Sequence, residues 1–407
     1  MKIFNPYALC MAMLCATTQA YAGGYSIPEQ GSKATGMGGA FTAVADDPSA
    51  SWYNPAGIAF QQDGLMVNAD AIAPVFQYQD ATGTKYTAKK QVFVVPQVYV
   101  NHQLGNSGLT LGLAVNAPFG LSTDWSNSSA PFSRLSAGSR SITFSQIEGV
   151  HINPNLAYRI NEHMALSAGL TYVNLNKVHL NSQALNIGGH GDGFGGNASL
   201  MYRNDGFSLG LSYRSKVKVQ VQGTAVGGAA LALFGLQGIA SNVTTSLTLP
   251  EMLSVGAAYR MGKLVVSVEA DRVNWSSFNR IDLNFAASAL NLVTGTHQSI
   301  PEHWKDVTAY RVGMDWNFSK QQSLRLGYAN DPTPSHATYV TPRLPGADRQ
   351  LVSLGYGSAI SNHIKLDVAY SYIWLKQRNI NQPATALYQG VYTSHTHLWS
   401  AGLVYQF

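Results

Sequence analysis

The feature that most constrains this chain is an alternation of apolar and polar residues that recurs, in stretches of roughly ten, from Gly64 to the last residue. In "HIKLDVAYSYIW" the residues Ile364, Leu366, Val368, Tyr370, Tyr372 and Trp374 share one face, while Lys365, Asp367, Ala369 and Ser371 share the other. In "RSKVKVQVQG" Val217, Val219 and Val221 oppose Lys216, Lys218, Gln220 and Gln222. A period of two belongs to a strand and not to a helix. Such stretches lie near 65–79, 91–104, 108–117, 141–160, 163–180, 191–203, 206–222, 243–260, 263–273, 305–318, 322–330, 348–359, 363–376 and 396–407. That makes about fourteen, an even number of the kind bacterial barrels use.

A secreted sandwich would alternate too, so the question is which face meets water. Charged residues are only 12% of the chain, about half the share of an average soluble domain. The apolar face often ends in aromatics, as at Tyr370, Tyr372 and Trp374, which suits a lipid-facing band closed by an interfacial girdle. No uninterrupted apolar run reaches the ~18 residues a transmembrane helix needs. The reading is therefore all-β, an antiparallel barrel in the outer membrane of a Gram-negative bacterium. The end of the chain agrees: in "HLWSAGLVYQF" Trp399, Ala401, Leu403, Tyr405 and Phe407 share a face. This resembles the signal by which such barrels are handed to their assembly machinery, making that machinery an expected partner through Phe407.

The first residues, "MKIFNPYALCMAMLCATTQAYAGG", have a lysine, an apolar core and a small-x-small site at Ala20-Tyr21-Ala22, the layout of a cleaved secretory signal. Residues 1–22 are assigned to it and Gly23 to the mature start. Cys10 and Cys15 both lie inside the signal, so the mature chain is expected to hold no disulfide and no Cys-ligated metal. The net charge of +5 comes from lysines and arginines scattered singly along strands, without the basic run that nucleic acid would call for.

Residues 23–62 do not alternate. "GSKATGMGGAFTAVADDPSA" is small and turn-rich, and the turn initiators Asp47-Pro48 and Asn54-Pro55 cannot extend a sheet ladder. Too short to form a domain, the stretch is sized for a plug inside the barrel, which leaves 63–407 as the barrel.

The motifs "GMGGAFTAVADDPSASWYNPAGIA", "LSYRSKVKVQVQG", "LTLPEMLSVGAAYR", "VNWSSF", "WKDVTAYRVGMDW" and "YANDPTPSHATYVTPRLPGADRQLVSLGYG", in this order, resemble the FadL/TodX family of outer-membrane transporters of long-chain fatty acids and aromatic hydrocarbons. The resemblance covers nearly all of the mature sequence. It implies a fourteen-stranded barrel with an N-terminal hatch, capture of substrate at the outer loops, an inner pocket, and lateral release through a gap at a kinked third strand.

On that basis Asn54, Pro55 and Ala56, an ordinary turn if read alone, become the part of the hatch that faces the wall opening, with asparagine satisfying groups the kink leaves unpaired. In "GLTLGLAVNAPFGLSTDW" Pro118 must break the ladder. Either the strand ends at Asn116, or the lateral gap lies here with Gly112 and Gly120 leaving room. The apolar stretch Gly223 to Asn242 reads as a plain strand or as the outer capture groove, with Leu231, Leu233, Phe234 and Leu236 as its candidates. The neighbouring loop, Asn181 to His190, is short compared with its counterpart in the fatty-acid members. A carboxylate in a greasy pocket needs a cation. Leu175 stands where the family implies an arginine, leaving Lys177 and Lys305, each of which also reads as a plain lumen residue. Tyr25 aligns with an aromatic that reaches the inner pocket, and a free chain end is the alternative. His395 and His397 point the same way and read as girdle residues, since no third metal ligand is visible.

The sequence thus predicts a monomeric channel without cofactor, metal or catalytic site, taking up long-chain fatty acids or similar hydrophobic compounds passively and releasing them into outer-membrane lipid. The alternatives are uptake of neutral aromatic or aliphatic hydrocarbons, and an adhesin or receptor barrel that transports nothing.

Overall fold

In the computed structural model the described residues are 23–407 except 382 and 384; the signal assigned to residues 1–22 lies outside them. From residue 64 onward the chain is mostly strand. In chain order the strands are β1 (Gly64–Gln79), β2 (Phe93–Gln103), β3 (Leu109–Asn116 and Leu121–Asp124), β4 (Phe144–Arg159), β5 (Met164–Asn181), β6 (Leu185–Asn204) and β7 (Phe207–Arg214 and Val217–Gly227). They continue as β8 (Ala240–Leu249 and Met252–Met261), β9 (Leu264–Val273 and Arg280–Phe285), β10 (His297–Pro301 and Val307–Trp316), β11 (Gln322–Asp331), β12 (Arg349–Ala359), β13 (Ile364–Ile380) and β14 (Gly390–Gln406). Each pairs antiparallel with its neighbours in sequence, and β14 pairs with β1 from Gly64 opposite Gln406 to Gln79 opposite Val391. The sheet is therefore a closed barrel of fourteen strands, which leaves no long edge for another chain to extend.

Alternation sorts the side chains as the sequence predicts. Leu111, Leu113, Ile152, Leu156, Leu326 and Leu354 are exposed on the outer wall, while Asn155, Ser199, Asp271, Arg311 and Arg325 are buried on the inner one. Tyr158, Phe207, Tyr259, Trp316 and Tyr405 sit exposed at strand ends beside the short turns, as an interfacial girdle requires. β6 begins at Leu185, so most of the expected 181–190 loop is strand, and the β5–β6 connection is only 182–184. The expected apolar loop 223–242 shrinks likewise, to a 3₁₀ turn at Ala229–Phe234 between β7 and β8.

Residues 23–62 contribute two short helices, α1 (Ser32–Gly36) and α2 (Ala50–Tyr53), and a 3₁₀ turn at Pro55–Phe60. They touch strands all round the circumference, which places them inside. The Ser32 N–H donates to Asn68 Oδ1 on β1 at 3.0 Å, the Thr42 N–H to Glu269 Oε2 on β9 at 2.7 Å, and Ser353 Oγ on β12 to the Gly36 carbonyl at 3.1 Å. Close approach depends on bare backbone in the wall. A Cβ on Gly327 would lie 2.0 Å from the Gly38 nitrogen, and one on Gly210 would lie 2.1 Å from the Thr42 oxygen.

Candidate functional site: a gap in the wall and two cavities

The wall opens at β3. Leu109–Asn116 pairs with both β2 and β4, but Leu121–Asp124 pairs with β4 alone. The last rung to β2 joins Val115 to Val98, so Phe93 to Gln97 of β2 are held only by β1. Pro118 causes the break, because it has no N–H and its ring cannot sit within a central ladder. Backbone groups freed at such a place find no partner in lipid. Here the N-terminal residues supply one: the Ile27 N–H donates to the Pro118 carbonyl at 2.7 Å, and the Gly120 N–H to the Tyr25 carbonyl at 3.0 Å, with Ser26 bridged to Phe119. A Cβ on Gly120 would meet Ile27 Cδ1 at 2.9 Å, so this position does leave room.

A cavity of about 680 Å³ lies against the break. Its walls include the inward-facing Ile72, Val95, Ile373 and Leu398, and also Val92 and Val94, which are 65% and 67% exposed. The cavity thus touches both the inner and the outer side of the wall at the start of β2. A second, smaller cavity of about 100 Å³ lies beneath the loops, lined by Val221, Leu247, Phe278, Glu302 and Arg343 among others. The two share Tyr25, Leu121, Gln146, Ile147 and Leu344. Tyr25 is thus one of the side chains that stand between them. Its ring packs against Trp275 at 4.8 Å, Phe278 at 5.5 Å, Trp304 at 5.8 Å and Phe119 at 6.1 Å between centroids. Burial first, then the nearby Glu302, push its phenol above the ordinary tyrosine value, so the ring stays neutral.

The other predicted residues fall as follows. Leu175 is buried in the same aromatic and aliphatic cluster as Tyr25. Lys177 sits at a bulge of β5, half-exposed, with its Nζ 3.0 Å from Glu148, and Lys305 is exposed beside the Pro334 carbonyl, which accepts its N–H at 3.0 Å. Neither lysine lines either cavity. The cation that does reach the inner cavity is Arg343, from the loop before β12. Leu231 and Leu236 are buried against Leu290 and Ala184, while Leu233 and Phe234, 98% and 69% exposed, present the outer apolar surface.

The triplet's polar groups are met by the plug itself and by β6. The Asn54 amide donates to the carbonyls of Thr42 at 2.8 Å and Leu200 at 3.1 Å, and the Ala56 N–H donates to Ser199 Oγ at 2.9 Å. Asn54, Pro55 and Ala56 therefore seat against β6, and the groups at the kink are met by Tyr25 and Ile27 instead. Gly112 belongs to the fully paired part of β3, where a Cβ would collide with Ile58 Cδ1 at 2.5 Å. Tyr25, Pro118 and Gly120 are brought together, whereas Gly112 faces Ile58 and Ser51 and the triplet bonds to β6. His395 and His397 join the outer aromatic belt, where Tyr370 Oη and His397 Nδ1 are 2.8 Å apart. Arg343, Glu302 and Ile27 escaped the sequence reading. Arg343 lies within the quoted "YVTPRLPGADRQ", but nothing in its spacing sets it apart.

Toward its base the lumen is polar, and the uppermost ion pair, Glu29 with Arg349, lines the larger cavity itself. Arg349 bonds Glu29 at 2.9 Å and lies 3.2 Å from Asp331, while Lys33 lies 2.9 Å from Asp46 and 3.4 Å from Asp315. Arg311 bonds Asp271 at 2.6 Å and also donates to the Gly38 carbonyl at 3.3 Å. Arg203 donates to the Val44 carbonyl and Arg214 to that of Trp52. Burial pushes the Asp47 carboxyl up to about 6, against the hydrogen bonds it accepts from Ser49.

A girdled barrel with a filled lumen and an apolar cavity leading out through its side defines the class: an outer-membrane protein built to pass hydrophobic molecules. Residues 13–407 match the outer membrane protein transport protein family (OMPP1/FadL/TodX), and the chain belongs to it. Members of this family are transport channels of the outer membrane and not enzymes. The long-chain fatty acid transport protein of Escherichia coli (strain K12) is 23% identical over 439 residues, covering 93% of this chain and 94% of that one. Outer membrane protein P1 of Haemophilus influenzae is 23% identical over 482 residues, covering 100% of both. Among solved structures, a Pseudomonas aeruginosa FadL homologue superposes with a TM-score of 0.78 at 19% identity, over 95% of this chain and 100% of its own. The Pseudomonas putida toluene transporter TodX gives 0.68 at 16%, over 95% and 99%. At these identities the two structures speak for the fold alone.

Proposed function

We propose that this protein is a passive, hatch-gated channel that takes up long-chain fatty acids or similar hydrophobic compounds and releases them sideways into the outer membrane. The observation that carries the reading is the cavity beside Pro118, which reaches from Tyr25 to the outward-facing Val92 and Val94. Residues 23–62 are the hatch, and its first residues are the moving part. With Tyr25 seated, the inner cavity and the exit cavity are separate; with Tyr25 displaced, they join. The drive is partitioning: each methylene transferred from water to hydrocarbon contributes about 0.8 kcal/mol. Leu233 and Phe234 supply exposed apolar surface at which a substrate first settles. The Escherichia coli relative is by name a long-chain fatty acid transport protein, which supports the same substrate class here.

The test is a tether. Ser26 and Phe119 are opposite each other in an antiparallel bridge, a separation that suits a disulfide, and residues 23–407 contain no cysteine. A Ser26→Cys, Phe119→Cys double variant should take up oleate poorly when oxidised and recover with reductant. Equal uptake in both redox states, with the cross-link verified, would overturn gating by this segment.

A further inference from the structure

On the outer wall, two strands from the gap, the alternation of β14 changes character toward the loop end. Its inward residues Ser394, Thr396 and Leu398 line the larger cavity, so Leu403, Ala401, Trp399, His397, His395 and Thr393 point outward. From the girdle residue Tyr405 to His395 is ten residues, which at about 3.3 Å each and a tilt of about 40° is a rise of about 25 Å, the height of the apolar band. The two histidines therefore stand where the headgroups of the loop-side leaflet begin. They are held edge-on. His397 stacks on Trp399 with centroids 5.8 Å apart and planes at 17°, and His395 lies 5.7 Å from His397. A stacked ring shows its edge to the surroundings, and the edge of an imidazole carries its nitrogens. Tyr370 Oη lies 2.8 Å from His397 Nδ1; with the phenol as donor, the ring proton sits on Nε2, ready for another acceptor.

The β1–β2 loop brings a further cation to this edge. Its short strand Lys85–Thr87 pairs back onto Gln77–Gln79 of β1, and the Ala88 N–H donates to the Phe76 carbonyl at 3.0 Å. Val75 faces His395 across the ladder, so the exposed Lys90 comes within electrostatic reach of His395. The carboxylates of the flanking loops are already engaged: Asp80 accepts from Thr82 and Tyr86, Asp124 from Ser126, and Asp348 lies 3.4 Å from Lys376. Below the imidazoles β1 presents only Ala69, Ala71 and Ala73, opposite Ala401, Trp399 and His397 on one side, with Val94 opposite Ala71 on the other. This is a trough one strand wide, about 4.8 Å between neighbours, between taller side chains.

The geometry points to this face as a docking site for a phosphorylated glycolipid of the outer leaflet, with a phosphate on His395, His397 and Lys90 and an acyl chain along Ala69, Ala71 and Ala73. Imidazole edges and an ammonium supply donors from two directions, the wall and the loop above it, which suits the tetrahedral oxygens of a phosphate. In an outer membrane the leaflet on the long-loop side is built of lipids whose phosphates are carried on sugar, and the trough below takes a chain that already lies along the wall. Val94 also lines the larger cavity, so a lipid seated here forms one bank of the opening.

Binding is measured by native mass spectrometry on the full barrel in nonionic detergent, with bis-phosphorylated lipid A, its dephosphorylated form, phosphatidylglycerol and oleate as probes and heat-modifiable mobility as the folding check. Wild type should hold lipid A at least about tenfold more tightly than the dephosphorylated form or phosphatidylglycerol, the low end for a hydrogen bond to a charged group. The double variant His395→Phe, His397→Phe keeps the stacked rings and removes their nitrogens; it and the loop variant Lys90→Gln should each cost lipid A about tenfold and leave the dephosphorylated form unchanged. Ala71→Trp fills the trough and should weaken both forms. Equal binding of the two forms by wild type, or unchanged lipid A binding in either folded headgroup variant, would leave an ordinary girdle and overturn the site. Phosphatidylglycerol binding as tightly as lipid A would overturn the choice of a glycolipid, and displacement of lipid A by equimolar oleate would give the trough to the released substrate instead.

Discussion

Tyr25→Ala should unlatch the N-terminal tip. The tip is held by three things: the Tyr25 ring, the Ile27 N–H to Pro118 bond and the Gly120 N–H to Tyr25 carbonyl bond. The two hydrogen bonds contribute about 1 kcal/mol each net. The ring is fully enclosed and meets four aromatic partners; truncating such a ring costs about 3–5 kcal/mol. The ring therefore dominates, and removing it shifts the seated-to-lifted ratio by roughly two to four powers of ten. The assay uses Ser26→Cys as a reporter, since residues 23–407 carry no cysteine. Labelling by a soluble maleimide should rise by tenfold or more when Tyr25→Ala is added, and oleate uptake should rise with it. Tyr25→Phe is the control: the hydroxyl has no hydrogen-bond partner among the described residues, so its loss should leave labelling near wild type. Unchanged labelling in folded Tyr25→Ala would refute the assignment of Tyr25 as the latch.

Three further outcomes are expected. Bulkier residues in place of Asn54, Pro55 and Ala56 should lower uptake by unseating the hatch from β6, while the amount of barrel in the membrane, read by heat-modifiable mobility, stays normal. Deleting Phe407 should reduce assembled barrel rather than transport per barrel, which immunoblotting of outer-membrane fractions against uptake will separate. Asp47 titrates near 6 in the folded protein against about 4 in a free carboxyl, so its protonated form is the one favoured by folding. That contribution is complete below about pH 4 and is lost as pH rises through about 6, leaving on the order of 2–3 kcal/mol unrealised at neutral pH. Asp47→Asn keeps an acceptor for the Ser49 bonds, so it should firm the seated segment at pH 7.5 and change little at pH 4, as proteolytic protection of residues 23–62 would report.

The strands were legible because period two survives wherever one face meets lipid and the other a polar lumen, as along β13 and β14. Legibility failed where that contrast fades. The start of β6 reads "LNIGGHGDGFGG", whose glycines admit close backbone rather than an apolar stripe; a Cβ on Gly189 would lie 2.6 Å from the Gln222 oxygen. The two-segment strands β7 and β8 read as single runs because the interruptions, as at Pro250-Glu251 in β8, are short beside the flanking alternation, whereas the second segment of β3 and of β9 and the first of β10 fell outside the runs read. Pro118 announced the break in β3 through its missing N–H, and Tyr25 was found through the resemblance. What filled the break was not legible, since Ile27 and Pro118 are joined only by the closed barrel. Lys177 and Lys305 were chosen for nearness to the right strand. A bulge at Leu175 turns Lys177 outward to Glu148, and Arg343 takes the lumenal place from a loop.

The direction of release follows from where the hatch is weakly and strongly held. Lifting residues 28–62 toward the short-turn side would separate Glu29 from Arg349 and Lys33 from Asp315, and strip the carbonyls of Val44 and Trp52 from Arg203 and Arg214. Leaving a buried charge without its partner costs about 3–5 kcal/mol each time. Four such losses, roughly 12–20 kcal/mol, exceed what holds residues 23–27, where one ring, two neutral hydrogen bonds and the Ile27 side chain amount to about 5–7 kcal/mol. An apolar molecule entering from the inner cavity would also have to displace Lys33, Arg203 and Arg214 from their partners on the lower route, whereas on the other it meets Ile72, Phe76, Val95 and Leu398, with Glu29 and Arg349 already paired at the cavity's edge. On both counts the tip would yield before the base, which supports the proposed release through the wall beside Pro118.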